Sequence, residues 1–152
     1  MSAGTSGDYP VSDDRSMALR FPFALVLSVI CLAAPAWADY QAGMDAYNSG
    51  NYATALREWR PLAEQGDPRA QFRLGSLYEN GNGVPRDFAK ARQWYEKAAA
   101  QGGEAIAQFY LGIQFAYGEG GPLDLVQAHM WYSLAAGNGN AHALGYRDDL
   151  AR

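Results

Sequence analysis

The sequence predicts an all-α protein, a short α-solenoid of stacked antiparallel helix pairs. Three observations predict it. Residues 83–102, GVPRDFAKARQWYEKAAAQG, return at 120–139 as GGPLDLVQAHMWYSLAAGNG, so that Gly83, Pro85, Asp87, Ala91, Trp94, Tyr95, Ala98 and Ala99 find their own types 37 positions later. The stretch before it keeps the same offset, with Ala70, Gln71, Phe72, Leu74, Gly75 and Gly81 answered by Ala107, Gln108, Phe109, Leu111, Gly112 and Gly118. Within each copy the apolar residues recur at helical spacing. A single helix pair of this length cannot bury its own apolar face, so successive copies must stack to close a core.

Residues 1–38 stand apart from the fold. Arg15 and Arg20 precede the apolar run 21–34, and Ala36-Trp37-Ala38 follows it. A basic region, an apolar run and an A-x-A end read as a secretory signal peptide cleaved after Ala38, with residues 1–16 outside it if translation starts at Met17. The run is shorter than the ~20 apolar residues that cross a bilayer, so no stable membrane span is expected after cleavage. Cys31, the single cysteine, lies inside this run. Cleavage therefore leaves a chain without disulfides or thiolate metal ligands.

Residues 39–66 read as a partial repeat. A short helix ends in a tight turn at Ser49-Gly50-Asn51, and the next helix aligns with 88–102 at an offset of 36 through Tyr52/Phe88, Ala55/Ala91, Trp59/Tyr95 and Ala63/Ala99. Pro61 removes one amide donor from that helix and predicts a kink there. Residues 67–103 form the first whole repeat. Asp67 can cap a helix that Pro68 begins, with Ala70, Leu74, Leu77 and Tyr78 along one stripe. Glycines in NGNGVPR stop it, Asp87 caps a second helix with Phe88, Ala91, Trp94, Tyr95, Ala98 and Ala99 inward, and Gly102 ends that one. Residues 104–139 repeat the pattern, and 140–152 supply one more helix as a cap or truncated unit. Gly75, Gly112, Ala91 and Ala128 fall where large side chains would hold packed helices apart.

The order Ala-x3-Leu-Gly-x2-Tyr, Gly-x-Gly-Val, Asp, Ala-x2-Trp-Tyr-x2-Ala-Ala-x2-Gly resembles the Sel-one-like repeat family, relatives of the tetratricopeptide repeats. Ala70, Leu74, Gly75, Tyr78, Gly81, Gly83, Val84, Asp87, Ala91, Trp94, Tyr95, Ala98, Ala99 and Gly102 meet it. The resemblance spans roughly residues 51–145, and the second copy departs from it at Gln114, Phe115 and Gly121. It implies a TPR-like superhelix in an exported bacterial protein, periplasmic or secreted, that binds another protein or peptide as an adaptor or scaffold. Cysteine-rich relatives linked to penicillin binding and β-lactam hydrolysis imply an alternative, a cell-wall-related hydrolase. Those relatives staple their repeats with disulfides.

The residues themselves offer little to catalysis. A net charge of −4 with 12 dispersed Lys and Arg gives no cationic stripe, so no nucleic-acid partner is expected. His129 and His142 lack the paired spacing of metal ligands, and Ser49, Ser76 and Ser133 lie outside G-x-S-x-G and S-x-x-K. The glycine loops lack the following Lys-Ser or Lys-Thr of a phosphate cradle. No catalytic residue, metal site or cofactor is expected, and the chain is read as not an enzyme.

In such a solenoid the first helix of each unit lines the concave side. Its non-core positions are Arg73, Ser76 and Asn80 in the first unit and Tyr110, Ile113 and Tyr117, with Gln114 beside them, in the second. The second set has the aromatic character of binding hot spots and predicts a groove for an extended peptide or partner helix. The competing expectation is that these side chains bury against the final helix. A second copy of the chain supplying a missing cap is a further expectation, with the oligomeric state left open.

Overall fold

The computed structural model describes residues 39–101, 104–150 and 152. The expected signal peptide and the helix stop at Gly102 lie outside the described residues. Seven helices and no strand are present among the described residues: α1 Tyr40–Asn48, α2 Tyr52–Glu64, α3 Pro68–Asn80, α4 Phe88–Ala100, α5 Ala105–Tyr117, α6 Leu125–Gly137 and α7 His142–Leu150. Each packs chiefly on its neighbours in sequence, so α1–α2, α3–α4 and α5–α6 form hairpins stacked in chain order, followed by α7. The protein is an all-α solenoid of TPR-like helix pairs.

Local chemistry sets the boundaries. Asp67 Oδ1 accepts from the amides of Arg69 and Ala70 at 2.9 and 3.1 Å, Asp87 Oδ1 from Lys90 at 3.0 Å, and Asp124 Oδ1 from Val126 and Gln127 at 3.0 Å. Each carboxylate satisfies donors that the first helical turn leaves free. At the other end, Gly81 and Gly118 take left-handed φ values of 68° and 71°, which close α3 and α5. The loops then return in the same way, with the Asp87 amide on the Tyr78 carbonyl and the Asp124 amide on the Phe115 carbonyl, both at 2.9 Å. Helix α2 runs through Pro61 to Glu64.

Each hairpin is held by a glycine facing an aromatic ring. A methyl group on Gly75 would meet the Tyr95 ring at 2.5 Å, and one on Gly112 the Tyr132 ring at 2.6 Å. Gly43 lies equally close to the Trp59 indole, so the first hairpin has the same seat despite its shorter turn. Ala55, Ala91 and Ala128, all fully buried, let the paired helices approach beside each ring. Trp59, Tyr95 and Tyr132 are the largest fully buried side chains among the described residues, and burying each contributes on the order of 2–3 kcal/mol.

Buried amides join one hairpin to the next. Gln71 Nε2 donates to the Ala63 carbonyl at 3.1 Å, and its Oε1 accepts from Gln101 Nε2 at 3.1 Å. One repeat later Gln108 Nε2 lies 3.5 Å from the Ala99 carbonyl and its Oε1 accepts from Asn138 Nδ2 at 2.9 Å. The recurring Ala-Gln-Phe thus brings a second donor to carbonyls at the ends of α2 and α4 that already accept a backbone amide at the helix cap.

Candidate partner-binding surface

The first helices of successive hairpins face one another along one side, and a column of rings runs between them. Tyr40 packs on Trp59 at 6.1 Å between centroids; Phe72 meets Tyr95 and Tyr110 at 5.6 and 5.5 Å; Phe109 meets Tyr132 and Tyr146 at 5.8 and 5.1 Å. Arg73 joins the first set to the second, its guanidinium 5.8 Å from the Trp59 centroid and 5.7 Å from that of Phe72, with Nε donating to Tyr40 Oη at 3.3 Å. Tyr110 and Phe109, 5.8 Å apart, join the second to the third. Stacked, tilted and edge contacts of this kind stabilise by about 0.5–1.5 kcal/mol each beyond burial.

This column decides where the expected binding residues lie. Arg73 and Tyr110 hold equivalent positions, and both are half-buried as links between hairpins. Ile113 packs on the cluster of Ala128, Tyr132, Ala135 and α7's Ala143, so burial involving the final helix is what occurs there. Gln114 is fully buried: its Nε2 lies 3.4 Å from Glu79 Oε1 and its carbonyl accepts from Arg92. Its burial takes its side chain out of the exposed line. Ser76 is half-buried and Asn80 exposed, with Asn80 Nδ2 donating to the Ser76 carbonyl at 2.9 Å. Tyr117, at the same repeat position as Asn80, is 69% exposed. Of the large apolar side chains on this line, Tyr117 is the open one.

Behind the line lies a polar seam that the sequence reading did not find. Arg92 is buried, with Nη2 donating to the Gln114 carbonyl at 2.9 Å and the guanidinium 4.3 Å from the centroid of Phe115. A side chain on Gly121 would collide with Nη1 of the same guanidinium. The departures at Phe115 and Gly121 thus share one cause, the accommodation of Arg92, whereas the Gln114 side chain turns to Glu79 and gives Arg92 only its backbone carbonyl. The corresponding seam one repeat earlier is apolar, with Leu56 and Val84 packed against the cluster that holds Leu77. Gln114 also reaches Glu79, whose Oε2 accepts from Tyr95 Oη at 2.8 Å. Burial pushes the Glu79 carboxyl above its ordinary value, against the lowering effect of those two donors and with Glu119 adding to the rise. Burial likewise pushes the Tyr95 hydroxyl up, reinforced by the Glu79 charge.

Among the described residues, no three His, Cys, Asp or Glu side chains are grouped to hold a metal ion, and no helix is long and apolar enough to cross a membrane.

Stacked helix hairpins with a glycine-aromatic seat and a Gly-x-Gly turn define a helical-repeat protein. The Sel1 repeat family model matches residues 68–103 and 105–140, and the chain is a Sel1-repeat protein. The crystal structure of a Sel1 repeat protein from Oxalobacter formigenes is similar over 74% of this chain and 46% of that one, at 36% identity and a TM-score of 0.70. A protective antigen of uropathogenic Escherichia coli with the same repeat fold gives 37% identity and a TM-score of 0.66, over 70% of this chain and 24% of that one. Helicobacter pylori cysteine rich protein B, at 24% identity and a TM-score of 0.56, shares the fold. Among curated proteins, the chitin synthase regulator SKT5 of Saccharomyces cerevisiae is 34% identical over 62% of this chain and 14% of its own length. The exopolysaccharide production negative regulator of Rhizobium leguminosarum is 32% identical over 41% of this chain and 24% of its own. This chain thus spans less than a quarter of these curated relatives, which are named regulators.

Proposed function

We propose that the protein is a non-catalytic adaptor of the bacterial periplasm or exterior, gripping a partner polypeptide along the inner face of its first helices. The observation that carries this is Tyr117: 69% exposed, at the end of α5, where the preceding repeat has an asparagine bonded to its own helix. An exposed aromatic beside a rigid helical scaffold is the usual anchor of a protein contact. Asn80, Ser76 and Arg73 continue the line on α3 as its polar rim. The named regulators among the relatives support a role exercised through other proteins. Export is supported by the basic, apolar and A-x-A order of residues 15–38.

Crosslinking tagged protein in its native envelope, followed by mass spectrometry, tests this. Tyr117→Ala is expected to lose the principal crosslinked partner while the melting temperature stays unchanged. Tyr110→Ala, which removes a ring between Phe72 and Tyr95, is expected to lower stability by about 2–4 kcal/mol. A partner retained in full by Tyr117→Ala would remove the inner face from the reading, and recovery of the protein in the cytosolic fraction would remove its location.

A further inference from the structure

The outward line of α6 differs in chemistry from the same line on the two helices before it. Val126, Met130 and Leu134 stand where α4 has Ala89, Gln93 and Lys97 and where α2 has Ala53, Arg57 and Pro61. Spaced at i, i+4 and i+8, they form one ridge, and Leu123 leads into it. Val126 is 80% and Leu123 60% exposed, with Met130 and Leu134 nearly half exposed. Apart from His129, α6 carries no acidic or basic side chain in its 13 residues.

Beside the ridge, Leu125, Val126, His129 and Leu150 line an open cleft. It is the unfilled counterpart of the two seams already described, because His129 holds the repeat position of Leu56 and Arg92, and Leu150 that of Leu77 and Gln114. The glycine turns of hairpins two and three rest on the backbone of Tyr52 and Phe88, whereas the equivalent Leu125 is exposed. Helix α7 departs from the glycine-aromatic seat of the earlier first helices: at an offset of 36, Arg147 and Asp148 stand where α5 has Leu111 and Gly112, and they pair with each other at 2.7 Å.

We propose that this ridge and cleft form the contact between two copies of the chain related by a two-fold axis, the ridge of each seated in the cleft of the other. A ridge and a hole on one surface are what an isologous interface requires. The near absence of charge leaves nothing for an acidic or basic partner to pair with. The patch offers apolar surface on the order of 500 Å² per chain. Two copies would then bury about 1,000 Å², the lower bound of a specific interface and the size of a reversible dimer. This pairing does not depend on the inner face around Tyr117.

Sedimentation of protein purified from cells expressing the full sequence tests it. Wild type is expected to show the mass of two chains at high concentration, falling to one on dilution. Met130→Glu and Met130→Lys, each alone, should weaken the dimer by at least about tenfold without lowering the melting temperature measured at dilutions where the wild type is a single chain. Tyr117→Ala should leave the dimer intact. A wild type of single-chain mass at every concentration overturns the proposal, as does a dimer unaffected by Met130→Glu. A monomer that co-sediments with phosphatidylethanolamine and phosphatidylglycerol vesicles through this ridge would overturn it too, by assigning the face to a membrane.

Discussion

Glu79 shows how one repeat position can carry opposite chemistry in two copies. Its carboxylate accepts from the Tyr95 hydroxyl, while Ala116 holds the same position one repeat later and leaves the buried Tyr132 hydroxyl without a partner among the described residues. Because burial raises the Glu79 pKa, the folded protein binds its proton more tightly than the unfolded chain does. The resulting stability is fully present below the unfolded value of ~4.3 and is lost as pH rises through the folded value. Glu79→Gln keeps an acceptor for Tyr95 and should therefore lose less stability than wild type between about pH 4.5 and pH 7. Urea midpoints across that range measure it, and parallel curves would show that the carboxyl titrates normally. Asp67 works in a separate, more acidic window: burial opposes it, but the Arg69 side chain and the amides of Ala70 and Arg69 hold its pKa below the ordinary value. Its contribution is lost only as pH falls through that lowered value.

At the level of helices and turns, sequence reasoning reached far because the signals were local. Aspartates before helices, glycines after them and small residues opposite rings act within a turn or across one hairpin, so each was legible from its own spacing. The seam around Arg92 was not legible in that way. Arginine is rarely buried, so its type points outward. Only the joint change at Phe115 and Gly121, 23 and 29 residues further along the chain, reveals that it points in. The seam predicts strong coupling. Gly121→Val should destabilise by about 1–3 kcal/mol through collision with the guanidinium. In an Arg92→Leu background the same change should be milder, with a coupling of ~0.5–3 kcal/mol in thermal or urea unfolding. Strict additivity would show that the two residues do not meet. Tyr146 was missed for a simpler reason: the last unit is one residue short before α7, so it matches Tyr110 at 36 rather than 37.

Across the whole stack, each helix leans mainly on its sequence neighbours, so stability should behave as a chain of local terms rather than as one indivisible unit. Tyr146 is the clearest place to measure this, since its ring closes the column against Phe109 and Tyr132. Tyr146→Ala is expected to speed amide hydrogen exchange in α7 and α6 while α1 to α4 keep their protection. An equal loss in every helix would instead show that the hairpins unfold together. The binding line was the least legible part of the molecule, because the inner positions of a solenoid serve both to join units and to meet ligands. Only neighbours distant in sequence distinguish Tyr110, which joins, from Tyr117, which does not.

The mismatch between the Leu56 and Arg92 seams also bears on inheritance. Tandem DNA repeats tend to gain or lose copies by slippage, and deleting residues 67–103 in frame would bring Leu56 against Gln114 and Gly121, leaving buried amide groups opposite methyls and a void where Val84 had been. The joints between units, rather than the units themselves, would therefore set how much stability is lost when the stack is shortened by one copy.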